Sequence, residues 1–368
     1  MNQIPPLDLA RQYPTIALEV ETAVLKVLAS GRYIGGDWVR EFEGQFADYI
    51  GTTECVSCHS GTDALYLALR SLDIGLGDEV ITTALSFFAT AETISMVGAT
   101  PVFVDIDAKT FNLDIDRLEA AITPRTKAIL PVHLFGQPID MTRLMAVADA
   151  HHLAVIEDCA QAAGAQWDGK KVGSFGHLGC FSFFPTKNLG AFGDGGAVTT
   201  HNRELAAKIR VLKDHGATRR YYHEELGTNS RLDALQAAVL QVKLPYLDGW
   251  NDRRRQVAIQ YGELLDPLPH IVLPQETLGG RSVWNQYTVR IEFDRDRLYS
   301  QLQQSGIGCS LYYPVPLHLQ PVYQNLGYKI GQLPVAERAC QQVLSLPMFP
   351  ELEVEQQYQV VHGLKDCL

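Results

Sequence analysis

The segment Ser182-Phe183-Phe184-Pro185-Thr186-Lys187-Asn188-Leu189-Gly190 is the most informative stretch of this chain. Its lysine lies between an aromatic strand end and a glycine-containing turn, so we expect the ammonium group to be held in place. Burial disfavours the charged form of an amine, which lowers its pKa and leaves a neutral nucleophile for aldehydes. Lys187 by itself therefore predicts amine chemistry.

A second polar segment, Glu157-Asp158-Cys159-Ala160-Gln161, follows the apolar run 153–156. An acid at the end of one strand and a buried lysine after another indicate a pyridoxal phosphate site. In such a site the lysine holds the cofactor as a Schiff base, and the acid pairs with the pyridinium nitrogen so that the ring acts as an electron sink.

The residues around these two segments predict the fold. From residue 79 onward β-rich apolar runs alternate with helical patterns, and strands are predicted at 79–83, 102–105, 128–132, 153–157, 180–184 and 197–199. Such alternation predicts βαβ units, and hence an α/β fold with a mostly parallel sheet between helices. Ligands of these sheets bind beyond the carboxyl ends of the strands, and both Asp158 and Lys187 follow such ends.

The length of 368 residues predicts two domains. Because Pro245 interrupts the helical pattern at 232–242, we predict a large domain over 1–245 and a smaller C-terminal α+β domain over 246–368. Further patterns predict an amphipathic helix at 18–29, two small-domain strands at 286–293 and 308–313, and a solvated helix face at 253–255.

Charge and cysteine usage narrow the function classes. The formal net charge of −11 argues against nucleic acid or an anionic membrane as the main partner. The chain begins without a basic-then-apolar signal, has no apolar run of about 18 residues, and scatters its seven cysteines, which favours a reducing cytoplasm. Cys55 and Cys58 have CxxC spacing but no second ligand pair nearby, so we interpret them as packing residues and expect no metal site.

Two further segments supply candidate cofactor contacts. Ser60-Gly61-Thr62-Asp63 opens a helical pattern, and a helix N-terminus with small residues and hydroxyl groups is suited to a phosphate. An ordinary N-cap is the alternative, but the presence of Asp158 and Lys187 favours the phosphate interpretation. Phe87 follows the strand at 79–83 and is placed either to stack on a pyridine ring or to fill the core.

The polar segments that follow the glycine-rich turn at 193–196 leave alternatives open. Asn229 and Arg231 are candidates for an anion contact, whereas the alternative is that Asn229 or Ser230 caps the next helix. The run 219–223 mixes basic and aromatic residues and suits a nucleotide, but a solvated loop is the favoured interpretation.

Together these motifs resemble the DegT/DnrJ/EryC1/StrS family of sugar aminotransferases, which have the aspartate aminotransferase type I fold. The resemblance runs nearly end to end and is carried by residues 60–62, 157–161, 182–187, 193–196, 229–232, 236–238, 313–318 and 344–347. It implies a pyridoxal phosphate-dependent transferase of fold type I that works as a homodimer with shared active sites.

The resemblance also implies roles for the candidate residues. Lys187 would hold the cofactor and act as acid and base, Asp158 would bind the pyridine nitrogen, and Gln161 would bind the ring hydroxyl. Phe87 would stack on the ring. The cofactor phosphate would be bound by Gly61, Thr62, Ser182 and, from the neighbouring subunit, Asn229.

Substrate contacts follow from the same resemblance. Arg231 and Tyr313 match positions that touch the sugar nucleotide or the amino donor in some relatives, also across the subunit interface. His318 is a weaker candidate for a substrate contact, and a structural role explains it equally well. The tail at 312–346 resembles members that aminate sugar C3, which implies transfer of the amino group of L-glutamate to a dTDP- or UDP-3-keto sugar. Amination at C4 of an NDP-4-keto-6-deoxysugar is the alternative, and a non-catalytic regulatory protein is a remote one. Lys187 argues against the sugar 3-dehydratases of this fold, which have histidine there.

Overall fold

The computed structural model describes residues 3–367. The α-helices are α1 (Leu9–Gln12), α2 (Ala17–Ser30), α3 (Asp37–Ile50), α4 (Gly61–Ser71), α5 (Ala89–Met96), α6 (Leu118–Ala121), α7 (Met141–Ala150), α8 (Arg203–Leu212), α9 (Ala234–Lys243), α10 (Leu247–Leu265), α11 (Arg295–Gln304), α12 (Pro334–Gln342) and α13 (Val354–Cys367). The strands are β1 (Glu54–Cys58), β2 (Glu79–Thr83), β3 (Thr100–Val104), β4 (Thr126–Leu130), β5 (Ala154–Asp158), β6 (Gln166–Trp167), β7 (Lys170–Lys171), β8 (Leu178–Ser182), β9 (Gly196–Thr200), β10 (Ala217–Arg219), β11 (Tyr222–His223), β12 (Ile271–Val272), β13 (Gly280–Arg281), β14 (Tyr287–Ile291) and β15 (Val343–Leu346).

The central sheet contains seven strands in the order β1-β9-β8-β5-β4-β2-β3. The neighbours from β3 to β8 are parallel, whereas β9 runs antiparallel to both β8 and β1. Adjacent residues of a strand face opposite layers: Val155 packs with Leu144 of α7, and Ile156 packs with Leu67 of α4. The predicted α/β fold, with a mostly parallel sheet covered on both faces, is confirmed.

Two predicted strands, 128–132 and 180–184, lie two residues further along the chain than β4 and β8. Apolar residues continue beyond the last ladder hydrogen bond, and Phe183 is fully buried although it follows the end of β8. Hydrophobicity reports burial rather than strand pairing, so the pattern extends into the loops that leave the sheet. The sequence pattern also misses β1, in which the two packing cysteines Cys55 and Cys58 are buried.

A second, antiparallel sheet is formed by β12, β14 and β15. The helices α10, α11 and α13 pack against it, and their residues Tyr261, Leu302 and Val360 share one core. The strand pattern at 286–293 is confirmed as β14. The strand predicted at 308–313 is wrong, because only Ser310 pairs there, with Ser345, before the chain leaves the sheet.

Contacts cross the predicted domain boundary at Pro245. Leu247 packs into the core that contains α3 and α9. The strand β13 pairs with β6, and Ile4 near the N-terminus bridges to Ile307. The division into 1–245 and 246–368 therefore stays a prediction.

The solvated face predicted at 253–255 is wrong for Arg254, which is 3% exposed. Its Nη1 donates hydrogen bonds of 3.0 to 3.3 Å to the carbonyl oxygens of Trp284, Asn285 and Met348. A buried guanidinium group needs such acceptors. Arg254 thus ties α10 to the two segments that flank β14 and β15.

The amphipathic helix predicted at 18–29 is α2. Its residues Val20 and Val27 are buried, whereas Leu18, Leu25 and Leu28 are exposed. Among residues 3–367, no helix combines the length and the apolar character needed to cross a membrane.

Candidate active site

A cavity of about 450 Å³ opens at the carboxyl ends of β2, β4, β5 and β8. It brings together the sequence-predicted residues Gly61, Thr62, Phe87, Asp158, Gln161, Ser182, Lys187 and Tyr313. These residues come from separate stretches of the chain, and the parallel strands deliver them to one edge of the sheet.

Lys187 lies in the loop that follows β8. The loop is tight, because Lys187 N–H donates to the Phe184 carbonyl at 2.8 Å and Gly190 packs directly on Pro185. The Lys187 ammonium has no hydrogen bond or ion pair to any protein group of residues 3–367. Burial lowers the pKa of Lys187 to about 8, and the charge of Asp158 opposes that shift. The amine is therefore available as a nucleophile near neutral pH.

Asp158 is the last residue of β5, and its carboxylate faces the cavity. Its Oδ2 accepts a 2.8 Å hydrogen bond from Thr90 Oγ1, and its Oδ1 accepts a 3.1 Å bond from Ala160 N–H. Burial raises the pKa of Asp158, whereas both hydrogen bonds and the charge of Lys187 lower it. A buried carboxylate in this setting favours a cationic partner.

Glu157 precedes Asp158 and points to the other face of β5. Its carboxylate accepts hydrogen bonds of 2.8 to 2.9 Å from the N–H groups of Gly173, Phe175 and Gly176. It also lies 3.0 Å from His133 Nε2. Glu157 thus holds the connection before β8, while its neighbour Asp158 serves the cavity.

The start of α4 forms the opposite wall of the cavity. Ser60 caps the helix by accepting a 3.1 Å hydrogen bond from Asp63 N–H. The N–H groups of Gly61 and Thr62 donate to no protein group among the described residues. A Cβ atom at Gly61 would come within 2.6 Å of Ser182 Cβ, so only glycine permits this approach. The Ser60 cap therefore leaves the N–H groups of the two following residues available to an anion, so the two interpretations of this segment are compatible.

Two aromatic side chains and an amide line the mouth of the cavity. Phe87 is 57% exposed, which excludes the core position that the sequence left open. Its ring centroid lies 6.2 Å from that of Tyr313. Gln161 Nε2 donates to Tyr313 Oη at 3.1 Å, and Gln161 Oε1 accepts a 2.6 Å bond from Phe135 N–H.

A sequence profile of the DegT/DnrJ/EryC1/StrS aminotransferase family matches residues 14–365. The chain belongs to this family. A protein of Geobacillus stearothermophilus called pleiotropic regulatory protein is 50% identical, over 99% of this chain and 98% of its own length. The UDP-N-acetyl-3-dehydro-α-D-glucosamine 3-aminotransferase of Acidithiobacillus ferrooxidans is 49% identical, over 96% of this chain and 95% of its own.

Solved structures agree with the family assignment. DesV of S. venezuelae, in complex with a ketimine intermediate, has a TM-score of 0.97 and 46% identity, and the match covers 100% of this chain and 98% of DesV. The NtdA protein of Bacillus subtilis, solved with bound PMP, has a TM-score of 0.90 and 33% identity over 96% of this chain and 82% of its own.

Aminotransferases of the DegT family use pyridoxal phosphate, and the residues of this cavity fit that cofactor. The amine of Lys187 would be available to its aldehyde, and the buried carboxylate of Asp158 would suit its ring nitrogen. The unpaired N–H groups at Gly61 and Thr62 suit its phosphate. The close approach of Gly61 to Ser182 adds a hydroxyl group to the same wall.

Three predicted residues do not line the cavity of the single chain. Arg231 Nη1 forms a 3.1 Å ion pair with Asp214, and Asn229 pairs with Asp214 through the backbone. His318 is 1% exposed and lies 3.2 Å from Glu337 Oε1. The roles predicted for Asn229, Arg231 and His318 stay predictions.

Sequence reasoning missed several cavity residues, among them Ser86, Thr90, Thr186 and Gln286. Thr90 carried a usable signal, because it is a hydroxyl residue in the first turn of α5, beside the predicted ring contact Phe87. Gln286 carried no such signal. It directly precedes β14, far along the chain from the other cavity residues, and reaches the cavity only through the packing of that strand.

Proposed function

We propose that the protein transfers the amino group of L-glutamate to C3 of a nucleotide-linked 3-keto-sugar that carries dTDP or UDP. The proposal rests on one observation. The same cavity contains the Lys187 amine, which has no hydrogen-bond partner among the described residues, and the buried carboxylate of Asp158. Relatives named as 3-aminotransferase and as dTDP-3-amino-sugar transaminase, 49% and 46% identical, support the C3 position.

Bound pyridoxal phosphate supplies an aldehyde that takes the amino group and a ring that spreads carbanion charge. Lys187 supplies the base. Because its pKa is about 8, part of the amine is neutral near pH 7, and Nζ removes the α-proton of the amino donor and returns it on the way to product.

Asp158 supplies a fixed negative charge that would stabilise positive charge on the ring of the cofactor. Its position at the rigid end of β5 and its hydrogen bonds from Thr90 and Ala160 hold the carboxylate before reaction begins. Preorganised charge of this kind stabilises a transition state without reorganisation. Overall, L-glutamate leaves as 2-oxoglutarate, and the ketone of the sugar leaves as an amine.

We also propose that the active unit is a homodimer and that Asn229 and Arg231 serve the neighbouring site. Both lie outside the cavity of their own chain, where Ser230 between them donates a 2.6 Å hydrogen bond to Asp63. That bond anchors the segment on its own chain, and the exposed Asn229 beside it is accessible to a partner chain. The exposed apolar side chains of α2 support a covering partner.

The name of the Geobacillus relative supports a second candidate, a regulatory protein. That candidate needs neither a reactive lysine nor a carboxylate facing it, and both are present here. Amination at C4 of an NDP-4-keto-6-deoxysugar remains the alternative within the enzyme class.

The test is a reverse assay. The enzyme, loaded with pyridoxal phosphate, is given 2-oxoglutarate and a panel of dTDP- and UDP-linked 3-amino and 4-amino sugars, and glutamate is measured. We expect glutamate only with 3-amino sugars. Activity confined to 4-amino sugars would move the reaction to C4, and an apoprotein whose spectrum does not change with pyridoxal phosphate would exclude the enzyme altogether.

A further inference from the structure

A short chain of buried hydroxyl groups lies behind the carboxylate of Asp158. Thr90 Oγ1 donates a 2.8 Å hydrogen bond to Asp158 Oδ2, and Ser86 Oγ lies 2.7 Å from Thr90 Oγ1. Ser86 and Thr90 are 4% and 1% exposed. A hydroxyl group has one proton, and Thr90 gives its proton to the carboxylate, so Ser86 is the donor to Thr90. The chain therefore runs in one direction, from Ser86 through Thr90 to Asp158.

The same two residues flank Phe87. Ser86 precedes Phe87 in the chain, and Thr90 N–H donates to the Phe87 carbonyl at 3.2 Å. Phe87 and Asp158 reach the cavity from different elements, namely the connection between β2 and α5 and the end of β5. The hydroxyl chain directly joins these two elements.

We propose that Thr90, supported by Ser86, is a positioning residue that orients the Asp158 carboxylate for the cofactor and fixes Phe87 relative to it. The inference rests on the proposed function, since it assigns both Asp158 and Phe87 to the cofactor. Thr90 acts through Asp158 and takes no part in the bond changes.

The buried position of Asp158 makes this contact important. Burial raises the pKa of Asp158, and the Thr90 hydrogen bond is the largest influence in the other direction. The Ala160 N–H and the charges of Lys187 and His133 also favour the ionised form. Other titratable groups near the carboxylate stay neutral because burial raises their pKa values: Cys159, Cys180 and Tyr313. Loss of the Thr90 donor thus leaves the carboxylate easier to protonate.

The decisive variant is Thr90→Val, which keeps the shape of the side chain and removes the donor. Thr90→Ser keeps the donor and serves as the rescue variant. Thr93→Val is the matched control: Thr93 lies on the same helix, is fully buried, and donates only within α5, to Ala89 O at 2.9 Å and to Thr90 O at 3.5 Å. All three change one methyl or hydroxyl group on one face of α5.

Three measurements separate positioning from packing. In Thr90→Val we expect kcat to fall about 10- to 100-fold, the range for a hydrogen bond to a charged group, with KM for L-glutamate changed less than about threefold. The pH titration of the visible absorption of the bound cofactor, which senses the charge of Asp158, should shift by about one pH unit from that of the wild type. In Thr90→Ser and Thr93→Val all three values should stay close to those of the wild type.

The cofactor-free protein gives an independent readout. Since the folded pKa of Asp158 lies above its unfolded value, ionisation costs stability as pH rises through that window, and Thr90→Val widens the window. The melting temperature of Thr90→Val should therefore fall increasingly below that of the wild type as the pH rises through that window. For Thr93→Val the difference should stay constant with pH.

The outcomes distinguish a failure of the proposed function from a failure of the positioning role of Thr90. A wild-type protein that does not bind pyridoxal phosphate removes the proposed function, whatever Thr90 does to the apoprotein. A wild-type protein that binds and transaminates, with Thr90→Val behaving like Thr93→Val in kcat, titration and melting, removes the positioning role alone.

Discussion

The cofactor side and the substrate side of the cavity are built differently. On the cofactor side Lys187, Asp158 and Gly61 come from three elements of one chain, and buried neighbours hold each of them. On the substrate side Arg231 lies outside the cavity of its own chain, and its ion pair with Asp214 is largely solvated. Asn229, which is predicted to reach the cofactor phosphate of the neighbouring site, lies outside the cavity as well. We propose that most cofactor contacts come from one chain, whereas the phosphate contact of Asn229 and the sugar contact of Arg231 come from a second chain.

The strongest test of the cofactor side is Lys187→Ala, which should lower kcat by about 10⁴-fold or more, the upper range for one acid–base group. Pyridoxal phosphate added to the variant should form no adduct that borohydride reduces. Lys243→Met is the matched control, because burial lowers the pKa of Lys243 to about 8 as well. Lys243 Nζ already donates to the Gly190 carbonyl at 2.5 Å, so the control should keep the adduct. An adduct in Lys187→Ala but not in Lys243→Met would move the Schiff base to Lys243.

The next largest effect separates two neighbours on β5. Asp158→Asn should lower kcat by about 10²- to 10³-fold with little change in melting temperature, because the charge serves the reaction. Glu157→Gln should instead lower the melting temperature, because Glu157 accepts three backbone N–H bonds in the core. Steady-state kinetics and thermal melting of both variants decide the point, and equal losses of kcat would contradict the division of roles.

The lowered pKa of Lys187 predicts how the apoprotein captures its cofactor. Only the neutral amine attacks an aldehyde, and a pKa of about 8 leaves little of it at low pH. Between pH 6 and 8 the capture rate should rise about 50-fold, in proportion to the neutral fraction. Stopped-flow absorption measures the rate, with free lysine and pyridoxal phosphate as the reference for titration of the aldehyde itself. A rise that continues unchanged to pH 10 would show an ordinary, unshifted lysine.

On the substrate side, Arg231→Ala should raise KM for the nucleotide sugar about tenfold and leave kcat nearly unchanged, as expected for a contact made equally in ground and transition states. Asp214→Asn is the control, because a solvated ion pair contributes little. Its KM should match that of the wild type. If both variants raise KM alike, the ion pair and not the arginine matters.

The smallest effect tests the shared site most directly. Lys187→Ala and Asn229→Ala are each expected to impair activity, and mixing them under conditions of subunit exchange should restore about a quarter of the wild-type activity per chain. Half of the dimers would be mixed, and each mixed dimer would hold one intact site. Exchange is verified by mass spectrometry with one labelled variant. Full exchange without recovery would place Asn229 in the site of its own chain.

The two sides of the cavity also differ in how far sequence reasoning reached. Lys187, Asp158 and Gly61 were predicted because each lies at a strand end or a helix start. Both features can be recognised from residues that are close together in the chain. Thr90 was missed because its function depends on which strand lies beside β2, and pairing order is not visible in periodicity. Arg254 was misassigned for the same reason, since its three acceptors lie on segments far along the chain.

The α/β alternation, the lysine and the acid at strand ends and the helix start suited to a phosphate can all be predicted from the amino-acid sequence. Those features depend on neighbours within a few residues, through side-chain periodicity and backbone capping. The folded structure was needed to show that Gly61 lies against Ser182, that Thr90 donates to Asp158, and that Asn229 and Arg231 lie outside the cavity of their own chain. These are contacts between distant segments, and they are set by strand order and packing, which local pattern does not specify.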